Sequence, residues 1–347
     1  MVVAAATLAS ACDLGARDLS PAHGPALHLV ASYPADGQGT NAAADAEANC
    51  TSPTPDCPVP TNLAIELRFD RFLLPGAGFA SGATLYSGSP LSAVLLRARY
   101  DVLERVVVLQ PSRSLQPHTL YTVELLPGAN SNRGFWAFDE APLEEAEVPL
   151  RFSFTTGAGP RLEAALPSSP ETCETMAAGP FNSCASCHAT LAGSASVAPL
   201  YPPMGLDLSS ARGLFFSAVS RVAHQTATGN NAIGEGLRTP VRFGVQMNIV
   251  DPGSPATSYL LYKLLAKAEN FQLASSEARC VTGYHPPVAD SNCRAPDARE
   301  IARLRDWFVL GEPMPQDDTA KVGAIDHADL ERIAAWIAQG AACSYTP

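Results

Sequence analysis

The sequence predicts a two-domain protein in which an all-β sandwich is followed by a mainly α-helical domain. Three observations support this fold class. The chain has 347 residues, and one hydrophobic core rarely organises more than about 200 residues. Hydrophobic and polar residues alternate over much of residues 28–157, which is typical of strands with one exposed face. After Gly157, hydrophobic residues recur at helical spacing instead.

The composition and charge exclude nucleic acid as a binding partner. A chain with 46% hydrophobic residues, 30 prolines and 25 glycines is predicted to be globular, with short elements joined by many turns. Its net charge is −11. Binding to nucleic acid needs clustered lysine and arginine, and the sequence contains no such cluster. The acidic surface suits a basic protein partner.

The N-terminus predicts export. Residues 2–11 are small and apolar, and they lead directly to Cys12, after which the chain becomes polar. This segment, residues 1–12, resembles a bacterial lipoprotein signal, which implies that Cys12 carries a lipid anchor to a membrane. An ordinary cleavable signal is the alternative, and either signal exports the protein to the periplasm or the outer membrane and cell surface. No later apolar run approaches the ~20 residues that a transmembrane helix needs.

Two segments before the first predicted strand are rich in Ala, Pro, Gly, Ser and Asp. Residues 13–27 are therefore a predicted linker, and residues 36–61 a predicted long loop. Cys50 and Cys57 lie in this loop. In an oxidising compartment we expect them to close a small disulfide ring.

The β domain is predicted over residues 28–157. From Leu63 to Phe69 every second residue is hydrophobic, which predicts a half-buried strand. Similar stretches follow at residues 94–100, 105–110, 118–125 and 148–155, as in a β-sandwich. The order of these signals, from Ser32-Tyr33-Pro34 to Phe152-Ser153-Phe154, resembles bacterial Ig-like domains. That resemblance implies a spacer or adhesive module.

The most specific motif in the sequence runs from Cys184 to His188. Covalent attachment of haem c requires two thiols with two residues between them and an adjacent imidazole that binds the iron. Cys184, Cys187 and His188 supply these groups, so one covalently bound haem is predicted, with His188 as its proximal ligand. The alternatives are a thioredoxin-type redox pair, which expects a βαβ pattern, and half a zinc site, which needs a second Cys or His pair. Neither context is present.

Further segments resemble exported bacterial c-type cytochromes. They are Met204 to Leu208 and the stretch from Val250 to Leu264. The resemblance implies a cytochrome c-like domain over residues 158–347.

Two helices of this domain have clear end signals. One is predicted from Ser254, a good N-cap followed by Pro255, to about Ala268. The last helix is predicted over residues 329–339, with Asp326 as N-cap and Gly340 as the stop. Its apolar stripe comprises Leu330, Ile333, Ala334 and Ile337.

The sequence offers several candidates for the second axial ligand of the iron. The segment 297–311 resembles 326–340, and this internal repeat pairs His285-Pro286 with Met314-Pro315. In the cytochrome family the distal ligand is typically a methionine beside proline before the last helix, which implies Met314, with His285 as the alternative. Met204, Met247 and an open sixth position are further alternatives. Filling an apolar gap in the core is the more usual role for these two methionines. His224 is interpreted as a surface residue at a helix end.

Four cysteines remain after these assignments: Cys173, Cys280, Cys293 and Cys343. An even number suits two disulfides in an exported protein. Pairing Cys280 with Cys293 and Cys173 with Cys343 is one possibility, and the other pairings stay open.

The expected function is single-electron transfer by an exported mono-haem cytochrome, with redox partner proteins of the cell envelope. Ligation of the iron by Met314 would leave no open position for a substrate, so an electron carrier is favoured over an enzyme. One alternative is a haem enzyme or sensor with an open distal site. Another is an Ig-like envelope scaffold or adhesion protein.

Overall fold

The computed structural model describes eleven parts of the chain. They are residues 24–43, 54–75, 78–127, 134–160, 170–189, 205–223, 247–267, 298–307, 309, 314 and 325–344. Several predicted features lie outside the described residues. These are the signal segment 1–12 and the residues Cys12, Cys50, Met204, His224, Cys280, His285 and Cys293.

Eight strands form two sheets in the N-terminal half of the described chain. They are β1 (Leu27–Tyr33), β2 (Ile65–Phe69), β3 (Ala83–Tyr86), β4 (Leu96–Asp101), β5 (Val106–Pro111), β6 (Leu120–Leu125), β7 (Leu143–Glu144) and β8 (Arg151–Thr155). One sheet has the order β4-β5-β2-β1-β7 and the other the order β3-β6-β8. Neighbouring strands are antiparallel except β1 and β7, which are parallel. The alternating pattern located β2, β4, β5, β6 and β8, because their hydrophobic side chains face the core.

Five α-helices follow in the described residues. They are α1 (Cys173–Ala178), α2 (Ala211–Ser217), α3 (Tyr259–Leu265), α4 (Ala298–Trp307) and α5 (His327–Ala338). Each has between 6 and 12 residues. Helices this short gain most of their stability from packing on other elements.

The last helix, α5, confirms its predicted end signals. The Asp326 carboxylate accepts a 2.8 Å hydrogen bond from the backbone N–H of Asp329. Gly340, with φ of 98°, follows the helix and adopts the left-handed conformation that glycine tolerates. Three of the four predicted stripe residues, Leu330, Ile333 and Ile337, are buried, whereas Ala334 is half-buried. The helix begins two residues earlier than predicted.

The helix predicted from Ser254 is shorter than expected. A 3-10 turn (Pro255–Thr257) precedes α3, and the side chain of Ser254 makes no capping hydrogen bond to it. Ser258 interrupts the helical run, because its hydroxyl accepts from the backbone N–H of Asp251 at 2.8 Å and donates to the Ser254 carbonyl at 3.0 Å. Such local side-chain bonds compete with helix formation.

The half-burial predicted for β2 is also wrong. All five residues of β2 are buried, including Glu66 and Arg68 on the face expected to be exposed. Arg68 pairs with Glu104 of the β4–β5 turn at 3.3 Å, and Glu104 lies 3.5 Å from His327 of α5. The C-terminal part therefore packs near the polar face of this strand.

The predicted fold class, an all-β Ig-like sandwich followed by a mainly α cytochrome c-like domain, is wrong. The described residues are mainly β, in two sheets with a few short helices. Isolated β-bridges join Val219 to Val250 and Val222 to Asn248 in the region expected to be helical. The buried residues of both halves form one hydrophobic cluster. Helical spacing predicted the helices locally, but elements so short cannot enclose a core of their own.

A buried ionic network links the two halves. Arg71, two residues after the end of β2, donates to Glu300 of α4 at 2.9 Å and to Asp139 at 2.7 Å. The backbone N–H of Phe72 donates to the other oxygen of Glu300 at 3.1 Å. Each buried charge thus has an opposite charge and hydrogen bonds, which offset the cost of desolvation.

Candidate functional site

The predicted haem-binding segment lies directly after α1. A capping box begins this helix: the Thr172 hydroxyl accepts from the backbone N–H of Thr175, and the Thr175 hydroxyl accepts from that of Thr172. The helix ends at Ala178 and is capped by Gly179, whose backbone N–H donates to the Thr175 carbonyl. Backbone hydrogen bonds continue beyond the helix. The N–H of Phe181 donates to the Met176 carbonyl, and the N–H of Ala185 donates to the Phe181 carbonyl, both at 3.0 Å. These hydrogen bonds connect the haem-binding segment to the end of α1.

Contacts with α5 and the chain that follows it hold α1 in place. A disulfide joins Cys173, at the start of α1, to Cys343; this is one of the pairings left open by the sequence. The Cys173 backbone N–H also donates to the carbonyl of Ala342 at 2.9 Å. Phe181 packs edge-on against Trp336, with ring centroids 6.2 Å apart, and both rings are buried.

The two cysteines and the histidine of the motif share one turn. A 3-10 turn covers Cys184–Ser186. The Cys184 carbonyl accepts from the backbone N–H of Cys187 at 3.1 Å and from that of His188 at 2.8 Å. Neither thiol is in a disulfide: Cys184 is half-buried and Cys187 is exposed. By contrast, Cys57, Cys173 and Cys343 are disulfide-bonded.

The His188 ring is half-buried and has an unsatisfied nitrogen. Its Nδ1 is buried and has no hydrogen-bond partner among the described residues. Burial lowers the pKa of His188, although a backbone hydrogen bond with Leu206 opposes this effect. The ring is therefore neutral at pH 7, which is the form that binds metals. The His188 carbonyl accepts from the backbone N–H of Leu208 at 2.8 Å, which connects the turn to the segment before α2.

These features fit covalent attachment of a haem. Two unoxidised thiols lie in the same turn as a neutral imidazole whose buried nitrogen lacks a partner. Burial raises the pKa of the Cys184 thiol, and hydrogen bonding to Ser183 opposes this effect. A thioether carries no charge, so it suits this half-buried position better than a thiolate does.

The methionines considered as ligands lie in different surroundings. Met314 is half-buried against the hydrophobic cluster, and its backbone N–H donates to the Lys263 carbonyl of α3 at 3.3 Å. Met247 is 2% exposed and belongs to the cluster itself, as expected of a methionine that fills an apolar gap. The role of Met314 as distal ligand stays a prediction.

A second group of polar residues was missed by sequence reasoning. Glu104, His327 and Glu331 each offer one potential metal-binding atom, and these atoms lie within 4.8 Å of one another. Hydrogen bonds to Glu104 and then to Glu331 raise the pKa of His327 to about 10. His327 and Glu331 have the spacing of neighbours on a helix face, which is a sequence signal. Their partner Glu104 is distant in sequence, so no local pattern could identify it.

Among the described residues, no helix combines the length and hydrophobicity required to cross a membrane.

Comparisons with known proteins identify no family. No protein-family model matches this sequence, and no curated protein matches it. Among solved structures, the chain is similar to the N-terminal part of the bacterial S-layer protein SbsC, with 8% identity over 38% of this chain and 24% of that chain, at a TM-score of 0.24.

Two further SbsC structures give similar values. Domains 1–6 match with 10% identity over 43% of this chain and 16% of that chain, at a TM-score of 0.25. The S-layer protein rSbsC(31-844) matches with 7% identity over 51% of this chain and 19% of that chain, also at a TM-score of 0.25. This chain thus spans at most 24% of the length of these three structures. TM-scores this low assign neither a fold nor a function to this chain.

Proposed function

We propose that this protein is an exported mono-haem c-type cytochrome that transfers single electrons in the bacterial cell envelope. One observation carries the proposal: Cys184 and Cys187 are free thiols in the same turn as His188, whose ring has a buried nitrogen without a partner. This attachment chemistry depends on the local turn. It does not require the helical domain that the sequence resemblance implied.

Each residue of the motif has a distinct role in the proposal. Cys184 and Cys187 would hold the haem through two thioether bonds, and His188 would bind its iron as proximal ligand. Bound there, haem supplies an iron that gains and loses one electron. The disulfide between Cys173 and Cys343 supports the start of α1, and so the position of the turn.

Met314 is the proposed distal ligand. A thioether ligand raises the reduction potential of haem iron and fills its last coordination position. Both effects favour electron transfer over binding of a substrate to the iron. The proline on each side of Met314 restricts the backbone that would present the sulfur.

Export is supported by the cysteine chemistry. Disulfides persist in oxidising compartments and are rare in the bacterial cytosol, and both Cys57 and the Cys173–Cys343 pair are disulfide-bonded. We further propose that Cys12 carries a lipid anchor to a membrane. The net charge of −11 suits a basic redox partner in the envelope.

Redox titration of the full chain, made in a host that attaches haem, tests the electron-transfer role. We expect a single one-electron transition and no binding of carbon monoxide by the reduced protein. Met314→Ala should lower the potential and allow carbon monoxide to bind. Met247→Leu is the control, because its core position predicts unchanged ligation. Rapid carbon monoxide binding by the unsubstituted protein would instead identify an enzyme or sensor with an open iron.

A further inference from the structure

We infer that Glu104, His327 and Glu331 form a binding site for a divalent transition-metal ion such as Zn²⁺. This inference concerns residues that do not belong to the proposed haem turn. It therefore holds or fails independently of the electron-transfer function.

The three side chains come from two separate elements. Glu104 lies in the turn between β4 and β5, whereas His327 and Glu331 lie on α5. Residues four apart on a helix share one face, so the helix presents an imidazole and a carboxylate side by side. The turn supplies the third group, and the three donor atoms lie within 4.8 Å of one another.

The two distances from His327 equal those between ligands of one metal ion, which would take the place of the proton that the raised pKa of His327 keeps on the ring. His327 Nε2 lies 3.5 Å from Glu104 Oε1 and 3.3 Å from Glu331 Oε1. Charge-assisted N–H···O hydrogen bonds are typically about 2.7–2.9 Å long. Two ligands of a tetrahedral zinc ion, each bonded at about 2.0–2.1 Å, are separated by roughly 3.3–3.4 Å. The two distances from His327 thus match this separation, and all three donor atoms lie within 4.8 Å of one another.

The donor set also suits a transition metal. One imidazole and two carboxylates are nitrogen and oxygen ligands, which zinc binds together with a water molecule in open sites. Mg²⁺ and Ca²⁺ prefer oxygen ligands alone, so the histidine favours a metal of the zinc class.

Burial and a second hydrogen-bonding partner organise the site. The side chains of Glu104 and His327 are 10% and 16% exposed, whereas that of Glu331 is 38% exposed. Glu104 and His327 are thus shielded from solvent, whereas the partly exposed Glu331 leaves access for an ion and a water molecule. Arg68 binds Glu104 Oε2 at 3.3 Å, which leaves Oε1 to face His327. Such outer contacts orient metal ligands.

Isothermal titration of the full chain with Zn²⁺ tests the inference. The protein carries Cys184→Ser and Cys187→Ser, so that these thiolates cannot compete, and it has no polyhistidine tag. We expect one Zn²⁺ per chain, with an affinity that His327→Gln and Glu331→Gln each lower at least about tenfold. His28→Gln is the matched control, because His28 pairs with a single carboxylate, Asp70, at 2.9 Å; this variant should bind Zn²⁺ like the parent.

Two results would overturn the inference. One is an affinity that neither the His327 nor the Glu331 substitution changes; the other is the absence of Zn²⁺ binding by the folded parent. Glu331→Gln changes a partly exposed side chain, so it remains informative if His327→Gln unfolds the protein. Titration with Co²⁺ adds a direct test of ligand type, since a thiolate charge-transfer band would place the metal on cysteine instead. This parent cannot hold haem through thioethers, so the result does not depend on the proposed function.

Discussion

Glu66 is a carboxylic acid buried in the middle of the five-stranded sheet. Burial raises its pKa from 4.5 to about 8, and the attraction of Arg68 and Arg99 offsets this only in part. In the unfolded chain, Glu66 ionises near its ordinary pKa. Between these two values the unfolded state has lost a proton that the folded state retains. Folding stability should therefore fall as the pH rises from about 4.5 to about 8.

Replacing Glu66 with glutamine removes this titration. We expect Glu66→Gln to be more stable than the parent at pH 8, by an amount on the order of a few kcal/mol. Near pH 4 the two proteins should be similar, because the carboxyl is then neutral in both states. Urea unfolding across this pH range measures the difference, with the exposed Glu144→Gln as control. If the free energy of unfolding had the same pH dependence in the parent and in Glu66→Gln, the buried Glu66 carboxyl would not be uncharged in the folded protein.

Residues differ in how well local sequence predicts their chemistry. Cys184, Cys187 and His188 could be grouped from sequence, because their chemistry requires a fixed spacing and the structure places them in one turn. Glu104 and His327 could not be paired, because only the fold brings them within 3.5 Å. The burial of Glu66 was also missed, since alternation shows which residues share a face and not whether the other face is covered.

At the scale of elements, α4 is attached to the β-sheet region through Glu300. This carboxylate accepts hydrogen bonds from Arg71 and from the backbone of Phe72, at 2.9 and 3.1 Å. The Arg71 side chain is only 4% exposed. Without the Glu300 carboxylate, the buried Arg71 guanidinium would keep only the Asp139 carboxylate of this network as a partner.

Glu300→Ala should therefore destabilise the protein by roughly 3–5 kcal/mol, as expected when one member of a buried ionic network is removed. Arg305→Ala, an exposed substitution on the same helix, should change the free energy of unfolding by less than about 0.5 kcal/mol. Chemical denaturation monitored by circular dichroism measures both. Equal effects of the two substitutions would show that Glu300 does not attach α4 to the sheet region.

The predictability of an element depends on where its end signals lie. The predicted ends of α5 were nearly correct, because both end signals are local. Asp326 caps the backbone N–H of Asp329, and Gly340 adopts the left-handed conformation that ends a helix. The segment after Ser254 was expected to be one helix, but the hydroxyl of Ser258 bonds back to the preceding turn. Strands β1, β3 and β7 were not located, and the two residues of β7 are too few to show a period.

At the scale of the whole molecule, the buried residues of the strands and helices form one hydrophobic cluster. Chain length and the change of periodicity after Gly157 suggested two separate cores instead. The links that contradict this expectation join residues far apart in the chain, as in the contact between Arg71 and Glu300, 229 positions apart. Such pairings arise from the packing of the whole chain, and a single sequence gives no local signal for them.

The proposed haem turn belongs to this same packed body. Its helix is joined to the chain after α5 by the Cys173–Cys343 disulfide, and Cys184 packs against the hydrophobic cluster. A haem attached here would therefore be carried by a mainly β protein rather than by a helical cytochrome domain.

Covalent haem attachment is the claim on which the proposed function depends. The most direct test is the visible spectrum and intact mass of the full chain, made in a haem-maturing host and denatured in acid to release any haem that is not covalently bound. We predict that one haem stays with the parent and with the Ser186→Ala control, and that the double variant Cys184→Ser, Cys187→Ser releases it or never acquires it. A colourless parent without added mass would contradict the account.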